Sequence, residues 1–447
     1  MPATPKYLIA GILLAFLGGC GESALPPSSE QPVTAIVGAR LIDGTGGAVI
    51  EDSVVVIEGA RIQAAGPRSH TPVPKGGEII DGAGKTIIPG LVDTHGHYHG
   101  DRAQMEHSFK AQLYFGVTTS RSIGVDPEEK LAVIAEGRAG KMPMPRLYTA
   151  GLGFTAPAGH PINRTVNRPA NVEEARQNVA TLAAQKVDFV KMWVDTLRGT
   201  VPKITPEIRA AIVEEAAKHN IPAVAHISEE ADARQLIGVG VKDFLHTVAD
   251  TGIGPDFIKL CLDNGVTFSP TLTNSQATWN YAEHPELLDD PETRAAFDPE
   301  SLAIWQDPKN RQEVLNNPNF AERKARFQHS LVFVKTLSDA GVRIGAGTDS
   351  GGGTPSHVPM GWGTHRELQL LVEAGRTPMQ ALVAATQHGA GLLSRGEVEY
   401  GTIQPGKAAD LVLLSADPLA DIHNTLKIQR VMQAGKWFNR EQLLQVE

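Results

Sequence analysis

The chain has 447 residues, 41% of them apolar and 20% charged, with a formal charge of −9. That length accommodates one large domain and a smaller one, and the balance excludes a disordered or collagen-like chain. With no basic stripe and no ladder of aromatics, nothing in the sequence supports a nucleic-acid module.

At the N-terminus, Lys6 precedes the apolar run YLIAGILLAFLGG, Tyr7–Gly19, which is short for a membrane span. Cys20 follows at once. The string LGGC, Leu17–Cys20, resembles the bacterial lipoprotein box. The resemblance implies that residues 1–19 are a signal peptide and that Cys20 carries a lipid anchor. Gly21 and Glu22 follow, with no Asp after the cysteine, which implies the outer membrane, facing the periplasm. A plain secretory peptide is the alternative. Residues 20–34 are polar, contain Pro26 and Pro27, and read as a flexible tether. The other cysteine is Cys261, so a lipidated Cys20 leaves no intramolecular disulfide.

From Ala35 to Gly66, short β-prone runs broken by Gly and Asp predict a meander of hairpins. The style returns in GTIQPGKAADLVLLSADPL and KIQRVMQAGKWF near the other end. Residues 35–88 and 401–447 are therefore expected to form one small β-sandwich-like domain from both chain ends. Between them, residues 89–400 alternate strand-like and helical segments. The strand-like runs are IIPGLVDTHGH, LYFGVTTSRSI, PRLYTAGLGF, VDFVKMWVD, IPAVAHI, DFLHTV, GVTFSPTL and VRIGAGTDSGG. Apolar residues recur at helical spacing in Val172–Lys186 and Pro206–Asn220, and Thr377 with Pro378 marks a helix start. These eight βα-like units predict an α/β chain, a (β/α)₈ TIM barrel, with polar residues at the C-terminal strand ends where barrel active sites lie. Asn274–Phe320, with Trp279, Tyr281 and Trp305, interrupts the seventh unit as a lid, a substrate-facing loop or a surface elaboration.

PGLVDTHGHYHG, Pro89–Gly100, places His95 and His97 two apart after an apolar strand, so both can face the barrel mouth. Neutral imidazoles suit Zn²⁺ and related ions, but two ligands hold no metal tightly. Lys191 lies within the apolar run FVKMWVD, where an unpaired ammonium is costly. It is a snorkelling amine, half of a buried salt bridge, or, once carboxylated by CO₂, an anion able to bridge two cations. His226 ends IPAVAHI, His246 ends the next strand, and Asp349 lies in the small-residue run GAGTDSGG.

In this ordered combination the sequence resembles the amidohydrolase superfamily of metal-dependent hydrolases, and most nearly its imidazolonepropionase-like and Xaa-Pro dipeptidase-like members. The resemblance spans nearly the whole chain after the tether. It implies two divalent ions, with zinc the leading choice. His95, His97 and Asp349 would bind the more buried ion, and His226 and His246 the more exposed one. Carboxylated Lys191 and a hydroxide would bridge them. Asp349 would also move the proton from the hydroxide to the leaving nitrogen. Thr94, Thr247 and Thr348 are candidate supports by adjacency.

Substrate contacts are less legible. In AGHPINRTVNR, His160 is a candidate catalytic donor to a carbonyl or oxyanion, or a loop residue bonded to backbone. Arg164 or Arg168 would meet a substrate carboxylate. Tyr98, His99 and the stretch His357–Leu368 are candidate walls, with His365 and Arg366 as helix supports instead. Met192, Trp193 and Asp195 depart from the small residues that follow the lysine in the dipeptidase-like branch, which weakens transfer of a dipeptide specificity. The expected activity is hydrolysis of an amide bond in a small-molecule or short-peptide substrate. Cyclic amides or lactones are the nearest alternative, and a non-catalytic envelope metal-binding or scaffold protein is the other. Homo-oligomer formation stays open.

Overall fold

The computed structural model describes residues 32–248, 252–351, 355–394 and 396–444. The lipoprotein signal, Cys20 and nearly all of the tether lie outside the described residues.

The strands β1 (Val33–Leu41), β2 (Ile50–Glu58), β3 (Arg61–Pro67), β4 (Glu78–Asp81) and β5 (Thr86–Pro89) open the chain. Then come β6 (Leu91–Gly96), β7 (Val117–Ser122), β8 (Arg146–Thr149), β9 (Val190–Val194), β10 (Ala223–Ile227), β11 (Asp243–Leu245), β12 (Thr267–Ser269) and β13 (Arg343–Ile344). The C-terminal strands are β14 (Leu411–Leu414), β15 (Ile428–Gln433) and β16 (Lys436–Phe438).

One mixed sheet unites the two chain ends in the order β16-β15-β14-β5-β1-β2-β3, with β4 beside β1. The seam is the antiparallel pairing of Thr86–Pro89 with Leu414–Leu411. Ile36, Val55, Ile62, Leu411 and Met432 fill the core of this sheet. Two of its hairpin turns abut. Gly435 has φ 74°, and a Cβ there would lie 1.8 Å from the carbonyl oxygen of Gly59, so no other residue fits.

The eight strands β6 to β13 run parallel in two hydrogen-bonded groups, β6-β7-β8 and β9 to β13. Bridges between Gly96 and Ser350 and between Phe154 and Met192 join the groups into a closed barrel. Thr94 N–H donates to the Ala346 carbonyl at 2.9 Å on one seam, and Phe154 N–H to the Lys191 carbonyl at 2.7 Å on the other. Burial on both faces explains the apolar strands: every residue of β6, β7 and β9 is buried. The predicted helices form at Val172–Ala184 and Pro206–Lys218, capped by Asn171 and Thr205. Thr377 and Gln380 make a reciprocal capping box at Pro378.

The long insertion is helical. After Leu272–Glu283, short helices at Pro291–Ala296, Pro299–Gln306 and Pro308–Leu315 each begin with an Asp–Pro pair. Trp279, Tyr281 and Trp305 are buried; Tyr281 and Trp305 pack with Phe297, and Trp279 against Phe327. Tyr281 and Trp305 build the insertion's own core and Trp279 joins the main core, so all three are buried in the fold.

Candidate metal centre

The C-terminal ends of the barrel strands bring His95, His97, His226, His246 and Asp349 together around one cavity, while Lys191 sits at the second position of β9. His95 ends β6 with His97 just beyond it. Their Nε2 atoms stand 3.3 Å apart. Asp349 Oδ1 lies 3.3 Å from His95 Nε2 and 3.1 Å from His97 Nε2, so three ligand atoms converge on one point. His95, His246 and Asp349 also offer atoms within 4.8 Å of one another, which joins the His246 side to the same cluster. Burial, eased by Asp349, holds His95 well below the ordinary imidazole range, and burial does the same for His246. Both rings are therefore neutral lone-pair donors at physiological pH, as a cation requires.

The surroundings select which nitrogen of each ring is free. His226 Nε2 lies 3.1 Å from Asp195 Oδ2. Burial pushes the Asp195 carboxyl up, but the bond to and charge of His226, with the Leu197 N–H and the Ser228 hydroxyl, together outweigh this and leave it well below the usual range. A carboxylate only accepts, so His226 Nε2 carries the proton and Nδ1 keeps the lone pair. His246 Nδ1 is bonded to Thr271 Oγ1 at 2.6 Å, which leaves its Nε2 free. The rings of His226 and His246 are 4.2 Å apart between centroids.

Lys191, on β9, is fully buried, and its Nζ has no hydrogen-bond partner among the described residues. The amine lies 5.0 Å from the centre of the Trp193 ring. Burial pushes its pKa down from 10.5 to about 7, with Asp349 opposing. Neither sequence-based alternative fits: a snorkelling amine reaches water, and a salt bridge needs a partner. The buried Nδ1 atoms of His95 and His97 are likewise unpartnered. The orphaned amine is costly in a closed protein, whereas a cation at the Nε2 atoms would leave the two Nδ1 atoms as they are; the two Nε2 atoms and Asp349 Oδ1 are a donor set that fits a divalent cation.

Beneath the site, Asp93 accepts from the backbone N–H of His95 at 3.1 Å and from the Thr348 hydroxyl at 2.8 Å. Of the three threonines singled out by adjacency, Thr348 thus supports the ligands. Thr94 bonds Ser269 and the Ala346 carbonyl, and Thr247 bonds Ser330. Deeper still, the fully buried Arg121 pairs with Asp243 at 2.5 Å and donates to the Thr94 carbonyl.

A cavity of about 310 Å³ opens over the cluster, walled by His99, His160, Arg164, Trp193 and Asn274. His160 lies 5.7 Å from the His226 ring, and burial lowers its pKa to about 4, so it is a neutral donor. Arg168 does not reach the cavity. Its guanidinium donates to the carbonyls of Ala156, Gly159, Pro161 and Ile162, tying down the loop that carries His160 and Arg164. Tyr98 is buried against Phe109. His365 is buried between the Thr425 hydroxyl and the Phe115 carbonyl, a structural role. A larger cavity of about 670 Å³ lies near Met144 and Phe438, where its one acid, Asp188, is already paired with Arg138.

Asn274, Thr271, Asp93 and Glu367 were not legible as site residues. Asn274 donates from its side-chain amide to Asp349 Oδ2. Asp195 stood out only as a departure from a pattern, though a lone carboxylate at a strand end beside a histidine was the available signal.

Residues 86–438 match the model of the amidohydrolase family. The chain is 26% identical over 391 residues to an imidazolonepropionase of Streptomyces griseus subsp. griseus, covering 84% of this chain and 88% of that one. It is 24% identical over 470 residues to the ochratoxinase of Aspergillus niger, covering 92% of this chain and 88% of that one. The crystal structure of that ochratoxinase superposes with a TM-score of 0.72, at 21% identity, covering 92% of this chain and 96% of that one. A Xaa-Pro dipeptidase with bound methionine in its active site gives a TM-score of 0.72 at 22% identity, covering 91% and 99%. With the family model spanning most of its length, and the ligand cluster where such a barrel builds its chemistry, the chain belongs to the amidohydrolase family.

Proposed function

We propose that the chain is a binuclear metal-dependent hydrolase that cleaves a carbon–nitrogen bond, amide or peptide-like, in a small substrate. The observation that carries the reading is the convergence of His95 Nε2, His97 Nε2 and Asp349 Oδ1 within 3.1–3.3 Å, beside a buried amine with no partner. His95, His97 and Asp349 would hold one cation, and His226 and His246 the other. Lys191, as its carbamate, would bridge them. Carboxylation joins Nζ to the carbon of CO₂ and releases one proton, which requires the neutral amine that burial favours. Imidazole, carboxylate and carbamate donors suit zinc. When bound, the ions polarise a substrate carbonyl and make hydroxide available near neutral pH.

The chain's own groups do the rest. Asp349, anchored through Oδ2 by Asn274, accepts the proton of the attacking water and delivers it to the leaving nitrogen as the C–N bond breaks. Neutral His160 donates to the carbonyl oxygen as negative charge develops on it. Arg164 lines the same wall and would meet a substrate carboxylate. A cavity of about 310 Å³ fits a small or dipeptide-sized substrate. The LGGC stretch supports an envelope location through a lipid on Cys20, tested by whether labelled fatty acid is incorporated and lost in Cys20→Ala.

Turnover of the zinc-reconstituted protein, with bicarbonate, against N-acyl amino acids, dipeptides including Xaa-Pro, cyclic amides and lactones tests the activity. Cleavage that disappears in Lys191→Ala is expected, and the preferred bond separates amide, cyclic amide and lactone. Two bound metals and a carboxylated Lys191 with no cleavage of any of these classes would count against the reading.

A further inference from the structure

The first turn of the helix Leu272–Glu283 touches the metal centre twice. Thr271 bonds His246 Nδ1 at 2.6 Å, and Asn274 bonds Asp349 Oδ2. These contacts join residues on different strands' ends, and three of the four backbones involved are strained. Thr271, His246 and Asp349 have φ of 51°, 70° and 57°, in the left-handed region that β-branched and bulky residues avoid. Such conformations persist only where surrounding contacts over-determine them. His246 N–H donates to the Ser269 carbonyl at 2.9 Å, and Asp349 N–H to the His95 carbonyl at 2.7 Å, so the strained residues are held by backbone as well.

What fixes the helix turn itself is one residue remote from the metals. Glu367, on the helix Trp362–Glu373, is fully buried. It accepts from Leu272 N–H at 3.1 Å, from Thr273 N–H at 2.8 Å and from the Thr273 hydroxyl at 2.7 Å. The orphan amides of that helix start are thus satisfied by the side-chain oxygens of a residue from another helix. The neighbouring Arg366 grips Gln276, one turn further on, through two bonds of 3.0 and 2.7 Å. Thr271 supplies no side-chain cap to its own helix, because its hydroxyl is committed to His246.

We propose that Glu367 is a positioning residue of the metal centre. By clamping the turn Thr271–Asn274, it sets the His246 ring and the Asp349 carboxylate at once. The inference rests on the metal-centre reading above, but not on any substrate. Glu367 touches neither metal nor substrate.

The test measures Zn²⁺ affinity of the full chain, with bicarbonate, by competition against a chromophoric chelator. The variants are Glu367→Gln, Thr271→Val and the double variant, with Val334→Ala as a control that loosens the core away from the site. Loss of supports behind metal ligands lowers affinity by roughly 10–100-fold, and that is the expectation for Glu367→Gln. Thr271→Val should weaken the His246 site alone. The double variant should be no weaker at that site than Glu367→Gln, since both changes act through one contact. Val334→Ala should lower the melting temperature with affinity unchanged. Affinity of Glu367→Gln within twofold of the parent, or equal losses in Glu367→Gln and Val334→Ala, overturns the proposal and leaves the metal-centre reading intact. A parent chain that binds no Zn²⁺ overturns both. If Glu367→Gln does not fold, Thr273→Val decides, since it removes one bond to Glu367 and touches no ligand: affinity unchanged overturns the clamp, and a loss of affinity at both ions supports it.

Discussion

Lys191→Met in the metal-free chain separates a ligand from a structural lysine. The folded amine has a pKa of about 7, against 10.5 for an ordinary lysine, and burial is the main cause. Because the folded pKa is the lower one, the unfolded chain binds the extra proton between pH 7 and 10.5. Stability therefore rises with pH across that window and is lowest below it, where the fold must carry a buried ammonium. At about 1.36 kcal/mol per unit, the displacement sets a ceiling of roughly 5 kcal/mol on that penalty. Methionine has a similar length and no charge. The substitution should raise metal-free stability at pH 6 by about 2–5 kcal/mol, with the gain shrinking towards pH 10.

The assay is urea unfolding of parent and variant in chelator at pH 6 and pH 9. Addition of Zn²⁺ and bicarbonate should reverse the order. Binding to the native state stabilises the parent by roughly 4 kcal/mol at a thousandfold excess over Kd, and the variant, lacking the bridge, should gain less. A variant that loses more than about 1 kcal/mol at pH 6 would refute the reasoning, because the amine would then have a partner that stabilises it in the fold.

Asp243→Asn strands the guanidinium of the fully buried Arg121, and denaturant unfolding should show a loss of about 3–5 kcal/mol. Arg168→Lys puts one ammonium where a planar fork now serves the carbonyls of Ala156 to Ile162, so hydrogen exchange of that loop should quicken while metal content stays constant. Asp195→Asn removes the acceptor that fixes the His226 tautomer, and Zn²⁺ affinity should fall roughly 10–100-fold with the melting temperature of the metal-free protein little changed.

The barrel and the residues that gather at its mouth were legible because both are written in local chemistry. Eight apolar runs ending in polar residues state the strand order, and His95, His97, His226, His246 and Asp349 fall at strand ends where the fold must bring them together, while Lys191 stands out as a lone charge inside an apolar strand. The insertion was less legible. Its Asp–Pro pairs at Asp290, Asp298 and Asp307 mark three helix starts, each with the aspartate capping its own turn, but the overall polarity of the segment masked them. The aromatics there suggested a substrate surface, whereas Trp305 sends its indole N–H to the Ser356 carbonyl at 2.8 Å and packs inward. An aromatic on a polar stretch marks burial as readily as binding, and only its neighbours decide which.

The supports of the ligands are the least legible part, for a physical reason. Glu367 lies 94 residues from the Thr273 amide it accepts from, and no periodicity links the two. The left-handed backbone of Thr271 has no composition signal either, since a β-branched residue is the least expected there, and His246 and Asp349 carry only the weak one of residue types enriched in that region. Each such residue costs roughly 1–3 kcal/mol, and a chain selected for stability alone would have relaxed them. Their coincidence around one point argues that the strain serves placement of the ligand atoms. If so, Thr271→Gly should relax its own backbone while removing the hydroxyl that holds His246, so stability should hold or rise as Zn²⁺ affinity falls. Parallel losses of both would mean that the geometry belongs to the fold and the metal centre merely inherits it.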